Sequence, residues 1–311
     1  MKKYIKKIKF INDAYTKFKW REKKVSYGEE NPDKIFYVIR RAGSKVGLFS
    51  LVMTSLGCIK YALEQGYIPV IDMCNEDNTY MQHDRKGNVW EYYFEQPCGY
   101  SLDDIKKSKN VIIGNGLIDG SVPYPNERIA YDDEEFKIWK NIADKHLMVR
   151  DEIIEETDRL AVQILKNNRV LGVLLRGTDY VNSRPKNHPV QPTINQAMEK
   201  IDEVLAEEGY QKIYVATEDK DIYQKLCERY GSKIVSMNVE RYIANGEENI
   251  NDISIKRAVD KYQMGKEYLI NILLLSRCDY IIAGNAGGSQ GALLFRNVSE
   301  KKFFFDLGNY S

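Results

Sequence analysis

Arg176 is the residue whose type and placement say most about chemistry. It follows the apolar run Val170-Leu171-Gly172-Val173-Leu174-Leu175 and precedes the turn Gly177-Thr178-Asp179-Tyr180. A buried strand stopping on an arginine puts a planar guanidinium at the carboxyl edge of a sheet, where open α/β sheets take their ligands. There it can grip a diphosphate through two parallel hydrogen bonds. A strand-end arginine paired with Asp179 across the turn has the same spacing, so both readings stay open.

A second run, Lys212–Ala216, leads into Thr217-Glu218-Asp219-Lys220-Asp221. Glu218 or Asp219 can accept hydrogen bonds from a base edge or from ribose hydroxyls. Thr217 or Asp219 can equally cap a helix with an acidic first turn. Asp219-x-Asp221 also has the spacing of a carboxylate pair that holds Mg²⁺ or Mn²⁺ against a diphosphate. On a helix, however, those side chains point about 200° apart and cannot easily share one ion.

The third segment is Gly284-Asn285-Ala286-Gly287-Gly288-Ser289-Gln290-Gly291, after the strand-like run Tyr280–Ala283. Free N–H groups at a helix N-terminus favour phosphate, and glycines permit close approach. Four glycines in eight residues point to a ligand more than to a tight connection. The dinucleotide pattern G-x-G-x-x-G is matched only loosely. Nearer the start, Gly43-Ser44-Lys45-Val46-Gly47-Leu48 is another Gly-containing loop between a strand and a helix, without the Gly-Lys-Ser/Thr ending of a P-loop. Asp72 ends the next strand and is either a cleft carboxylate or a turn former. His188 lies in a polar loop where it could meet a hydroxylated acceptor. His83, His146 and His188 have no ligand spacing, so no histidine metal site is expected.

These residues are carried by short apolar runs at Ile35–Ile39, Ile68–Asp72, Val111–Ile113, Val170–Leu175, Lys212–Ala216, Lys233–Met237, Tyr280–Ala283 and Phe303–Phe305. Helical patterns at Leu48–Gln65, Asp151–Lys166, Thr193–Glu208, Asp219–Tyr230 and Gly265–Arg277 alternate with them. Such alternation predicts βαβ units and parallel sheets. The 311 residues allow about two domains. The expected division is residues 1–155, an embellished acceptor-side domain, and residues 156–311, a plainer nucleotide-binding domain. Two Rossmann-like domains facing across a cleft would follow.

Composition narrows the partners. With 43% hydrophobic and 29% charged residues the chain reads as globular, and a net charge of +1 does not suggest nucleic acid. Five scattered cysteines without C-x-x-C fit a reducing compartment, and no secretory core or spanning run is seen, so a cytoplasmic location is expected. Residues 1–24 carry ten Lys/Arg against Asp13 and Glu22. Tyr4, Ile8, Ile11, Tyr15 and Phe18 would line one stripe of a helix over about Lys2–Lys19. That helix either packs on the body or lies on an anionic membrane surface.

Taken together and in order, Leu174-Leu175-Arg176-Gly177-Thr178-Asp179-Tyr180, Thr217-Glu218-Asp219 and Gly284-Asn285-Ala286-Gly287-Gly288-Ser289-Gln290-Gly291 resemble the donor-domain motifs of the GDP-fucose-dependent fucosyltransferases. That superfamily embraces the α1,6-, α1,2- and protein O-fucosyltransferases. The resemblance is clearest over residues 170–307 and implies a GT-B-type, metal-independent, inverting enzyme without a cofactor. It assigns the donor diphosphate to Arg176, guanine and ribose contacts to Glu218 and Asp219 at the Thr217 turn, and phosphate-side contacts to Ser289 and Gln290. Gly47, Asn285, Gly287 and Gly288 complete the donor side. Two departures stand out: Leu174-Leu175-Arg176 replaces a His-x-Arg opening, and Lys45-Val46-Gly47-Leu48-Phe49 replaces a Gly-x-Gly-Asn-Gln loop. The expected activity is transfer of fucose, or a related sugar, from a GDP donor to a glycan or lipid-linked oligosaccharide, with Asp72, Asp179 or His188 as base. The alternatives are a metal-dependent transferase using Asp219 and Asp221, a non-catalytic nucleotide- or glycan-binding module and, more distantly, a dinucleotide-binding oxidoreductase.

Overall fold

The β-branched runs assemble into two separate sheets, described by a computed structural model over residues 12, 14–43, 46–74, 78–81, 87–116, 122–177, 184, 186–243, 260–296 and 301–311. In the first half, β1 (Lys23–Val25), β2 (Phe36–Ile39), β3 (Ile68–Ile71) and β4 (Val111–Ile113) lie in the order β1-β4-β2-β3. β2 runs parallel to β3 and β4, and β1 closes one edge antiparallel to β4. The second half holds β5 (Val170–Leu174), β6 (Lys212–Ala216), β7 (Ile234–Val235), β8 (Tyr280–Gly284) and β9 (Lys302–Phe305). These five are all parallel, in the order β7-β6-β5-β8-β9. The connections run outward in opposite directions from β5. The connections that leave the carboxyl ends of β5 and β8 therefore diverge, and it is there that doubly wound sheets open a binding crevice.

Helix α1 covers residues 14–20. It is followed by α2 (Leu48–Glu64), α3 (Leu102–Ile105), α4 (Asp133–His146), α5 (Asp151–Ile164), α6 (Ile194–Glu208), α7 (Lys220–Tyr230), α8 (Lys261–Ser276) and α9 (Gly287–Phe295). Their starts follow from local sequence. Thr193 and Gln196 form a reciprocal capping box on α6, which stops at Gly209 with φ 65°. Asp132 caps α4 and Asp260 caps α8.

One core cluster runs through both halves, from Tyr37 and Ile59 through Phe49 to Ile272, Leu293 and Phe304. Its seam is the contact of α2 with α9. A Cβ at Gly291 would fall inside van der Waals contact of the Phe49 ring, so glycine is what lets the two helices meet. A second cluster lies between β5, β6, α6 and α7, and a third between β2, β4 and Ile105. The predicted strands form with ends shifted by at most one residue. The run Lys233–Met237 is the exception, because only Ile234–Val235 pairs with β6. Three elements escape the periodicity reading: β1, only three residues long, the four-residue α3, and α4, which carries core residues Phe136 and Trp139.

The position 155/156 falls within α5. That helix docks on α8 through Lys266–Glu156 at 3.1 Å and Arg277–Asp158 at 2.5 Å. The aromatic stretch around residue 90 covers the edge of the first sheet. Gln96 accepts from the N–H of Ile71 and donates to its carbonyl, Asn88 donates to the same carbonyl, and Glu91 accepts from both amides. Trp90 and Tyr93 are core. At the N-terminal end Trp20 is buried against Gly116 beneath the Arg40 guanidinium, whereas Tyr15 and Phe18 are 65% and 63% exposed. Residues 1–11 of the expected basic helix lie outside the described residues. No helix among the described residues is long and apolar enough to cross a membrane.

Candidate functional site

The carboxyl edges of both sheets face one cavity of about 860 Å³, within the range of small-molecule sites. Arg176 enters it just beyond β5, and its Nη1 donates to Glu218 Oε1, just beyond β6, at 2.5 Å. The arginine side chain is 13% exposed and the glutamate 27%, so the pair is held mostly buried at the cavity wall. Arg176 is the one Arg or Lys lining the cavity among the described residues, while Glu127, Glu218, Glu240, Asp260 and Glu267 also line it. An incoming anion therefore depends on the guanidinium and on helix ends for positive potential.

Two helix N-termini supply that potential. α9 begins at Gly287 and Gly288, which line the cavity, and first-turn N–H groups have no intrahelical acceptor. Ser289 shapes this start rather than facing a ligand. Its hydroxyl donates toward the carbonyls of Gly284 (2.8 Å) and Ala286 (2.9 Å), and it accepts from the N–H of Ala286 at 3.0 Å. It is wholly buried, and its side chain does not line the cavity. Gln290 lines the cavity, with its amide donating to Asn285 Oδ1 at 2.9 Å. Asn285 also lines it and is held in turn by Gln191 Nε2 on its carbonyl, at 2.8 Å. The second N-terminus is that of α2. Gly47 precedes it without a side-chain cap, and among the described residues nothing lies within 4 Å of where its Cβ would sit. The N–H of Leu48 donates to the Tyr80 hydroxyl at 2.8 Å. A Cβ at Gly287 would stand 3.3 Å from Phe49 Cβ, so the two helix starts lie side by side.

The remaining expected residues divide. Thr217 lines the cavity, but its hydroxyl donates to the carbonyl of Leu175 at 3.0 Å and accepts from the N–H of Asp219, locking the ends of β5 and β6 together. Asp219 is 1% exposed, does not line the cavity and caps α7 by accepting from the N–H of Ile222 at 2.9 Å. Its carboxylate is engaged at the helix start rather than presented on the cavity wall. Asp221 is exposed on the first turn of α7, so the two carboxylates are separated as helix geometry requires. Asp72 accepts from the N–H of Cys74 at 2.9 Å, as a turn former does, and lies outside the cavity. His188 sits at the cavity rim, its carbonyl bonded to the N–H of Tyr310 at 2.9 Å. Asp179 lies outside the described residues.

Residues that pattern reading missed complete the walls. Thr79 and Tyr80 come from the segment after β3, and Tyr268 from α8. Burial and then its neighbour Tyr268 raise the Tyr80 phenol above its ordinary range, and burial and then Glu218 do the same for Tyr268. Both phenols thus stay protonated as hydrogen-bond donors. Of Trp90, Tyr92, Tyr93 and Tyr124, it is Tyr124, 45% exposed, that lines the cavity. No signal of spacing could have found Tyr80, and Tyr268 reads as part of an apolar run.

No family model matches the chain, and no curated protein matches it in sequence. Solved structures match in fold. The chain is similar to NodZ α1,6-fucosyltransferase soaked with GDP-fucose, with a TM-score of 0.55 and 16% identity over 88% of this chain and 96% of that one. It is similar to fucosyltransferase NodZ from Bradyrhizobium at a TM-score of 0.53 and 15% identity, over 89% and 97% of the two chains. The apo form of POFUT1 aligns at a TM-score of 0.51 and 12% identity, over 90% of this chain and 100% of its own. The chain has the α/β fold of these GT-B-type fucosyltransferases over nearly its whole length.

Proposed function

We propose that the protein is an inverting glycosyltransferase that moves fucose, or a closely related sugar, from a GDP donor to a glycan hydroxyl. One observation carries this reading: Arg176 and the open starts of α9 and α2 converge on one cavity at the β5/β8 switch point. Breaking a sugar–diphosphate bond builds negative charge on the leaving oxygens, and a fixed guanidinium with helix N–H groups meets that charge as it forms. Glu218 and Glu240 offer acceptors to the N–H and O–H donors of a nucleoside on the β6 side. Of the candidate bases, His188 lines the rim, from which it would take the proton of the attacking hydroxyl, and Tyr124 offers a face for the acceptor sugar. In this reading the chain divides its work near residue 155, with acceptor contacts before it and donor contacts after it. The separation of Asp219 from Asp221 favours transfer without a metal bridge between them. Calorimetric titration with GDP and UDP in EDTA tests the donor site. Selective binding of GDP is expected, and binding only of UDP, only with added metal, would sink it.

The same reading places the enzyme in the cytoplasm, at the membrane face where lipid-linked acceptors reside. Its support is α1, which leaves Tyr15 and Phe18 exposed among Lys17, Lys19 and Arg21. Co-sedimentation with vesicles containing about 30% phosphatidylglycerol is expected to exceed that with neutral vesicles and to fall in a Tyr15→Ser/Phe18→Ser variant, each buried aromatic adding about 1.5 to 3 kcal/mol. Equal sedimentation of variant and parent would remove this part of the reading.

A further inference from the structure

We infer that Thr79 and Tyr80 form a subsite on the first-half wall of the cavity that recognises a hydroxyl of a neutral sugar ring. The inference deepens the reading of the cavity as a nucleotide-sugar site and rests on it for the donor's identity. Thr79 is 5% exposed and lines the cavity, yet its Oγ1 has no hydrogen-bond partner among the described residues. Buried hydroxyls are nearly always satisfied, so an orphan on a cavity wall marks a place where a ligand supplies the partner. Tyr80, equally buried, accepts from the N–H of Leu48, and its own proton has no acceptor among the described residues.

The two groups are fixed by their surroundings. Asn78 Oδ1 accepts from the N–H of Tyr80 at 3.0 Å, and the carbonyl of Asn78 accepts from the N–H of Met81 at 3.1 Å, which closes a tight turn. The Tyr80 ring stands edge-on to Tyr93 with centroids 6.1 Å apart. The turn and the Tyr80 ring are thus in place before a ligand arrives. Its chemistry is mixed. Tyr80 donates a proton, while Thr79 can accept one, and a group that accepts from the first and donates to the second is an alcohol. A phosphate oxygen could accept from both hydroxyls but would leave the acceptor capacity of Thr79 unused. The location agrees: Tyr80 bonds the first residue of α2, the same turn that packs against the start of α9, so the subsite adjoins the place given to the diphosphate. In a nucleoside diphosphate sugar, the next group along is the sugar.

Thr79→Val keeps the side-chain shape and deletes the hydroxyl, and Tyr80→Phe deletes the donor. GDP-fucose and GDP would be titrated calorimetrically into parent and variants, and free fucose followed by saturation-transfer NMR, with thermal melts confirming folding. GDP-fucose affinity is expected to fall about three- to ten-fold in Thr79→Val, by more than any change for GDP, and the fucose signal to weaken. Undiminished GDP-fucose affinity and an undiminished fucose signal in folded Thr79→Val would overturn the subsite while leaving the nucleotide site standing. A parent that binds fucose, in a manner dependent on Thr79, but not GDP would overturn the nucleotide reading and keep the subsite. A parent that binds neither would overturn both.

Discussion

Alanine at position 176 is expected to lower kcat/KM for a GDP-sugar by two to three orders of magnitude, about 3 to 4 kcal/mol, while the protein stays folded. The size follows from the charge inventory of the cavity, where Arg176 is the one cationic Arg or Lys among the described residues and faces five carboxylates. Without it the leaving diphosphate meets only helix N–H groups, and Glu218 loses the partner that its oxygen accepts from at 2.5 Å. Those two effects separate in a double variant. Arg176→Ala with Glu218→Gln should recover whatever stability the lone carboxylate removed, yet not recover turnover. Arg176→Lys keeps the charge and loses the planar fork, so an intermediate loss of about ten-fold is expected. Near wild-type turnover of purified, folded Arg176→Ala would show that the guanidinium serves the sheet edge rather than the reaction.

Gly291→Ala is expected to destabilise the fold by about 1 to 3 kcal/mol, because the added methyl is driven into the Phe49 ring at the seam of α2 and α9. Phe49 is 1% exposed and meets Tyr268 and Phe295 edge-on at 5.6 and 6.3 Å, so it has no free direction in which to turn. The effect should be relieved by a smaller partner. Phe49→Leu alone costs packing, but combined with Gly291→Ala the two changes should cost less than their sum in urea denaturation. Strict additivity would mean that the methyl is accommodated elsewhere and that the close approach is not what requires glycine here.

Both substitutions bear on what the chain discloses before it folds. The second sheet is legible because its central strands β5, β6 and β8, buried on both faces, read as continuous apolar runs with helical patterns between them. β1 and α4 are not: three residues carry no period, and α4 hides its stripe of Phe136 and Trp139 in a strongly charged segment. At the site, Arg176, Glu218, Gly287 and Gly288 are found by their position after strands, since parallel topology brings those ends together. That signal also fits Arg41, just beyond β2, which instead straps α2 by donating to the carbonyl of Ser50 at 2.7 Å and to Thr54. Asp219 and Ser289 show the converse. Both have the right spacing, and both spend their side-chain oxygens on helix starts, which spacing cannot distinguish from ligand contact. Thr79 and Tyr80 belong to the site through the way the first sheet's connection folds over the cavity, a tertiary fact without a local pattern.

The seam between α2 and α9 also bears on how such chains can diversify. A nucleotide-binding half whose helices carried its own closed core could be exchanged between relatives by a crossover near the middle of the chain. Here a hybrid inherits Phe49 from one parent and the glycine that receives it from another, and α5, spanning the crossover point, must still find Lys266 and Arg277 on α8. Under the proposed function, new donor preference is thus more accessible through substitutions along the cavity wall than through the shuffling of halves.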